Sequence, residues 1–211
     1  IIYVYKQIQV KDELDNDFKE RFNMNIGIDI DDTITDTFDY LMPYIAEYFD
    51  VDIEYLKNNN ISYSNLPEKW KKDEINFAKK YYDEVILDTP IKPNASSYIK
   101  KIKDLGNTIF IITARDKNLY TDPYKTTLEQ LRKNKIYPDK LFCTFNKVQV
   151  CIDEQIDLFI DDSIEHCQKV SNSGIQTLLF NNKINLNKTV NLNKVNNWKE
   201  IYEYILMKGY N

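Results

Sequence analysis

Three aspartates and a threonine crowd the end of one short apolar stretch. Ile26 to Thr37 reads IGIDIDDTITDT, with Asp29, Asp31 and Asp32 followed by Thr33. Carboxylates so closely spaced repel, and two of them about 4 Å apart cost about 4 kcal/mol at an effective dielectric of about 20. A divalent cation offsets that cost, and so does dispersal into water. The run therefore reads either as one wall of a Mg2+-dependent phosphoryl-transfer site, carried by Asp29 and Asp31, or as a solvated acidic loop.

Three further groups decide between these readings. Thr113 closes the apolar run NTIFIIT, Lys147 follows LFCTFN, and Asp161 and Asp162 follow IDLFI. Phosphoryl transfer needs carboxylates for a metal, a nucleophile, hydroxyl and N–H donors for phosphate oxygens, and a cation. Each group alone has an ordinary explanation: a strand-end hydroxyl, a solvated lysine, an acidic pair ahead of a helix opening at Ser163. What favours chemistry is that all of them fall, in order, at or beside the ends of apolar runs. His166, the single histidine, stands one helical turn after Asp162 and reads as a surface or supporting helix residue.

The elements that must position these groups are legible from apolar spacing. Short apolar runs ending in polar residues are buried strands of a parallel sheet, whose chemistry gathers at the carboxyl ends. Strands are expected at the Ile26 run, Asn107 to Thr113, Leu141 to Phe145, Ile156 to Ile160 and Ile175 to Phe180. Helices are expected over Asn94 to Leu105 (stopped by Gly106), Asp122 to Lys135 (Asp122 as N-cap, Pro123 in the first turn), Lys147 to Gln155, Ser163 to Ser171 and Trp198 to Met207. This alternation spells a doubly wound α/β domain. A βαβ unit takes about 30 residues, so roughly 50 of the 82 positions from Asp31 to Thr113 are surplus. Residues 38–89 are read as an inserted helical cap, with helical patterns around Phe38 to Phe49, Ile53 to Lys57 and Lys69 to Val85, and dense in aromatics able to form its own core or stack on a planar substrate. The core is then 24–37 and 90–211. Residues 1–23 are read as an extension that the chemistry does not need, with Met24 a natural start. Asn181 to Asn197, rich in Asn and Lys, reads as a surface excursion.

Composition narrows the partners. The chain has 211 residues, a formal net charge of −5, 43% hydrophobic and 29% charged residues. An acidic balance argues against polymeric nucleic acid as a partner, but not against a small phosphorylated substrate. Cys143, Cys151 and Cys167 show no metal-ligand spacing and read as free thiols in a reducing cytoplasm. No apolar run approaches the roughly 20 residues of a membrane span, and Ile1 to Val10 lacks the basic start and small-residue cleavage site of a leader.

Taken together, the DxDxT of Asp29, Asp31 and Thr33, the strand ending in Thr113, Lys147, and the Asp161–Asp162 pair resemble the four motifs of haloacid dehalogenase (HAD)-superfamily phosphatases. Within that superfamily the chain is most similar to the 5′(3′)-deoxyribonucleotidase-like group and its bacterial nucleotidase relatives. The supporting features are the IGIDIDDTIT opening, the cap between the first two motifs, the TAR of Thr113 to Arg115, and the NWKEI of Asn197 to Ile201. The resemblance implies a Rossmann-like three-layer parallel sheet with a small helical cap inserted after the first strand. It implies a phosphoric monoester hydrolase working through an aspartyl-phosphate, with a nucleoside monophosphate as substrate and another small phosphorylated metabolite, such as a sugar phosphate, as the alternative. A cytoplasmic enzyme with no membrane partner is expected, with a homo-oligomer possible. Asp29 would be the nucleophile and Asp31 the proton carrier. Lys147 would be the charge-neutralising cation. Asp29, the Asp31 carbonyl and Asp162 would hold Mg2+, supported by Asp161. Thr113, Ala114, Arg115 and Phe38 would meet substrate. Two positions depart from the pattern: Asp32 stands where the family usually has Gly, and Thr37 where deoxyribonucleotidases tend to carry an aromatic. A phospho-accepting signalling domain shares the acidic cluster, Thr and Lys, but its order of motifs differs and it has no counterpart to the insert.

Overall fold

The computed structural model describes residues 23–209; the extension expected over 1–23 lies outside them, Asn23 apart. Six parallel strands form one sheet in the order β3-β2-β1-β4-β5-β6. They are β1 Asn25–Ile28, β2 Thr108–Thr113, β3 Lys140–Cys143, β4 Leu158–Asp161, β5 Gln176–Phe180 and β6 Asn193–Val195. β1 lies between β2 and β4, with Ile28 opposite Ile111 on one side and Ile160 on the other. The order reverses beside β1, and an open parallel sheet leaves its crevice at such a switch point.

Period-two alternation divides the strand side chains between two helical layers. Ile26, Ile28, Ile109, Ile111, Leu158 and Ile160 share one buried cluster with Ile99, Ile102, Trp198 and Ile201. These last four come from α5 (Ala95–Asp104) and α9 (Trp198–Gly209). Phe110, Ile112 and Phe159 point the other way, with Cys151 and Val170, from α7 (Lys147–Asp153) and α8 (Ile164–Asn172). Gly27 belongs to this second face. A Cβ there would stand 3.0 Å from Ile112 Cδ1 and 3.1 Å from Phe159 Cδ2, so glycine makes room for two large neighbours. α6 (Pro123–Lys133) begins as its sequence requires, the Asp122 carboxylate accepting from Lys125 N–H. Ser163 likewise caps α8 by accepting from His166 N–H.

Between β1 and α5 the chain makes α1 (Thr37–Phe49), α2 (Ile53–Asn58), α3 (Glu68–Lys71), α4 (Glu74–Val85) and a short 3-10 turn, Ile86–Asp88. The single helical pattern expected from Lys69 to Val85 is thus broken at residues 72–73. These helices bury their own cluster, including Phe38, Leu41, Leu56, Trp70 and Phe77, with Phe49 stacked on Trp70 at 4.3 Å. The way out and the way back lie side by side: Asp36 N–H donates to Pro90 O and Lys92 N–H to Ile34 O, around an antiparallel bridge between Thr35 and Ile91. No helix among the described residues is long and apolar enough to cross a membrane.

The stretch from Asn181 to Asn197 corrects the sequence expectation. It is not simply a surface excursion, for it contributes the edge strand β6 and buries Asn185 and Val195.

Candidate active site

Asp29 is the first residue beyond β1. Its N–H still bonds Ile160 O on β4, which fixes the backbone while the side chain leaves the sheet edge. Lys147, the first residue of α7, reaches back to it. Its Nζ donates to Asp29 Oδ1 at 2.6 Å and to Asp161 Oδ2 at 2.7 Å, and all three side chains are almost wholly buried. A buried ammonium between two carboxylates is the geometry that holds charge in a dry site. Asp161 also accepts from Ser163 N–H at 2.7 Å and meets His166 Nδ1 at 3.2 Å. His166 is therefore a supporting residue of this cluster.

One oxygen from each of Asp29, Asp161 and Asp162 lies within 4.8 Å of the others. Three carboxylates facing one ammonium leave two negative charges uncompensated. Their proton affinities follow burial first and this charge balance second. Burial pushes Asp29 up to about 7, against the pull of Lys147. Burial, and then Asp161, Asp32 and Asp29, push Asp162 well above the usual carboxylate range. Burial acts on Asp161 as well, but Lys147 and His166 outweigh it and hold that group low. Lys147 itself is raised, its burial outweighed by Asp161 and Asp29. Hard oxygen ligands with an excess charge of two match a divalent cation such as Mg2+ in both chemistry and charge.

Asp31 takes a different partner. Arg115 grips it as a fork, Nε to Oδ2 at 2.9 Å and Nη2 to Oδ1 at 2.8 Å. Thr37 Oγ1 donates to Oδ1 at 2.8 Å. Burial would raise this carboxyl, but Arg115 and then Thr37 outweigh it and keep Asp31 below its ordinary value. The guanidinium is itself 2% exposed, bonded through Nη1 to Gln130 Oε1 at 2.8 Å and lying over the Tyr120 ring. Its fork is thus already engaged.

Asp29, Asp31, Ala114, Arg115, Lys147, Asp161 and Asp162 all line one cavity of about 760 Å³. The structure brings the four motif regions together at the carboxyl edge of the sheet. Thr113 is fully buried beside them, and its hydroxyl has no protein partner. Phe38 is not brought to the cavity: its ring is buried in the α1–α4 cluster. The aromatics that do line it are Tyr63, Tyr82, Tyr120 and the exposed Phe145.

Two residues were missed from sequence. Asn182 Nδ2 donates to Asp162 Oδ2 at 2.6 Å, and Asn185 Nδ2 to Asp162 O at 2.7 Å. Both also line the cavity. The signal was present as a run of Asn directly after β5, where a strand-end amide can brace a neighbouring strand's carboxylate.

Comparison with known proteins bears on the family and the fold. A family model for 5′ nucleotidase, deoxy (pyrimidine), cytosolic type C protein matches residues 23–209. The chain is 32% identical over 185 residues to a nucleotidase of Clostridium acetobutylicum, covering 85% of this chain and 92% of that one. A haloacid dehalogenase-like family hydrolase from Streptococcus pneumoniae superposes with a TM-score of 0.62 at 15% identity, covering 87% of this chain and 98% of that one. A HAD hydrolase from Bacillus subtilis solved bound to magnesium gives a TM-score of 0.57 at 13% identity, with coverage of 87% and 98%. At those identities the likeness of the solved structures is one of fold.

Proposed function

The chain belongs to the 5′ nucleotidase, deoxy (pyrimidine), cytosolic type C family of HAD-like phosphoric monoester hydrolases, and from that premise we propose a Mg2+-dependent nucleoside monophosphatase that works through an aspartyl-phosphate. The observation that carries this reading is the Lys147 bridge between Asp29 and Asp161, with Asp162 within reach of both.

Asp29 attacks phosphorus. Lys147 bonds its Oδ1, which leaves Oδ2 to form the O–P bond as the ester C–O–P linkage breaks at phosphorus. Splitting the displacement into two in-line steps lowers each barrier. Asp31 gives a proton to the departing oxygen, then takes one from the water that releases phosphate. The Arg115 fork suits the second of these duties, because a base must be ionised; for the first, Asp31 must hold a proton, and so must loosen from the fork. Lys147, on the cavity wall, would meet the phosphoryl oxygens and keep Asp29 oriented, and the unpartnered Thr113 hydroxyl behind that wall would be the second donor. Asp29, Asp162 and the Asp31 carbonyl would hold Mg2+, which would supply positive charge for the phosphate. Asn182 keeps the Asp162 carboxylate turned toward that position. The aromatic lining of Tyr63, Tyr82, Tyr120 and Phe145 favours a planar base as the rest of the substrate. A sugar phosphate is the second reading, favoured by Thr37 and by the burial of Phe38 away from the cavity.

The test is released phosphate from deoxy- and ribonucleoside monophosphates and sugar phosphates, with Mg2+ and with EDTA, beside Asp29→Asn. We expect turnover of nucleotides that EDTA and the substitution both abolish. Equal release by Asp29→Asn refutes the nucleophile assignment, full activity in EDTA refutes the metal, and a preference for sugar phosphates transfers the assignment to the second reading.

A further inference from the structure

Asp32 has no task in the chemistry above, yet it is 3% exposed and sits at φ 61°. That is the left-handed region which glycine enters freely and aspartate tolerates at some cost. Burying a carboxylate beside Asp31 adds to that cost, and burial pushes Asp32 up to about 7. Two bonds account for its presence. Phe38 N–H, in the first turn of α1, donates to Oδ1 at 2.8 Å. The N-cap residue Asp36 makes no side-chain cap bond, so Asp32 caps the helix from a distance. Tyr63 Oη donates to Oδ2 at 3.0 Å.

Tyr63 stands in the loop between α2 and α3, 31 positions along the chain. Tyr63, Ser64 and Asn65 together form one wall of the cavity. The other hydrogen bonds described for residues 59–67 stay within the helical insert: Asn59, Asn60 and Ile61 N–H bond carbonyls of α2, Pro67 O accepts from Trp70 N–H of α3, and Asn65 and Ser62 bond within the loop. Among the described residues, the phenol on Asp32 is the hydrogen bond that ties this wall to the turn bearing Asp29 and Asp31.

We propose that Tyr63 is a positioning residue: its hydroxyl latches the 61–66 loop onto Asp32 and so sets the wall against which the non-phosphate part of the substrate rests. The inference rests on the site assignment above but not on the identity of the substrate. The remaining hydrogen bonds described for this loop run within itself or to the neighbouring helices α2 and α3, so the Tyr63 contact alone sets its distance from the turn. Glycine at position 32 would supply the turn but not the latch.

The experiment compares the full-length protein with Tyr63→Phe, Asp32→Asn and the double variant. Tyr63→Phe removes one oxygen and keeps the ring. Asp32→Asn retains an acceptor for Phe38 N–H while making the Tyr63 contact neutral. Amide hydrogen exchange over residues 59–67 is measured without substrate, and KM and kcat on the best substrate of the panel. Tyr63→Phe is expected to speed exchange in 61–66 about tenfold while the β-strands are unchanged, and to raise KM about tenfold with kcat within about twofold. Asp32→Asn should give a smaller change of the same kind. The double variant should be no worse than Tyr63→Phe, because both remove one interaction. Unchanged exchange in 61–66, additive effects in the double variant, or a fall in kcat at constant KM overturns the proposal. Faster exchange throughout the sheet also overturns it, since that marks a general loss of stability. The exchange readout needs no turnover, so an inactive substrate panel refutes the nucleotidase reading and leaves the latch to be judged on exchange alone.

Discussion

Arg115 offers the most quantitative handle on the site. Its side chain is 2% exposed and makes four hydrogen bonds, two to Asp31, one to Gln130 and a longer one to Thr127. Arg115→Met keeps much of the stem and removes the guanidinium. Asp31 then retains only Thr37, and Gln130 Oε1 loses its donor. Removing one partner of a buried ion pair costs about 3–5 kcal/mol. Asp31 is 17% exposed at its side chain and regains some water, which argues for the lower end, about 3 kcal/mol. Urea unfolding at pH 7, followed by tryptophan fluorescence, measures it. Two controls sharpen the result. Because Arg115 holds Asp31 below its ordinary 3.8, the stabilisation is present above about pH 4 and is lost as pH falls through the folded-state value. The gap between wild type and variant must therefore narrow at acid pH. Adding Asp31→Asn to Arg115→Met removes the stranded charge and should restore more than half of the loss. A loss under about 1 kcal/mol at pH 7, or a gap that widens in acid, refutes the assignment of Arg115 as the counter-charge of Asp31.

Three further outcomes follow from the same geometry. Asn182→Leu strips the amide from Asp162 and should weaken Mg2+ binding about 10–100-fold by calorimetric titration; unchanged affinity would remove Asn182 from the site. In EDTA the protein should lose stability as pH rises from about 4 toward 7, because Asp29 and Asp32, raised from 3.8 to about 7, bind more protons folded than unfolded across that interval; Mg2+ should raise the melting temperature more at pH 8 than at pH 5, and a flat profile in both conditions contradicts the charge excess. Gly27→Ala places a methyl 3.0 Å from Ile112 Cδ1 and should cost about 1–3 kcal/mol in urea unfolding, while a neutral effect would show that β1 and β2 can move apart there.

What could be read from the sequence was whatever announces itself locally. An apolar run that ends in carboxylates, an Asp–Pro pair opening a helix, and a Ser three residues before a bonded N–H each carry their physical reason within a few positions. β1, β2, β4, α6 and α8 were legible on that basis, and so was the gathering of Asp29, Thr113, Lys147, Asp161 and Asp162 at one edge. The three-residue β6 was not legible, because Asn193 and Lys194 look like any polar loop. Its strand character comes only from pairing with β5.

The more instructive misses are polar side chains whose partners are far away along the chain. Arg115 was assigned to substrate; it lines the cavity, and what the sequence did not announce is that its fork closes on Asp31, 84 positions distant. Asn182 and Asn185 were read as surface because asparagine is usually solvated, yet they meet Asp162 at separations of 20 and 23. Asp32 looked like one more carboxylate of a metal cluster, but its acceptors serve Phe38 and Tyr63. A hydrophobic residue states its destination through periodicity, since every core position has the same requirement. A buried polar group must instead find a specific complement, and nothing in its own neighbourhood names it. For that reason an acidic cluster read in one dimension merges duties that the fold separates. Asp29, Asp161 and Asp162 keep an unmet charge that a cation can answer, Asp31 is already answered by arginine, and Asp32 is answered by a helix N-terminus and a phenol. Only the first group retains the electrostatic deficit that makes a metal site, so the count of nearby carboxylates overstates the charge available to a ligand, and the pairing of each one decides it.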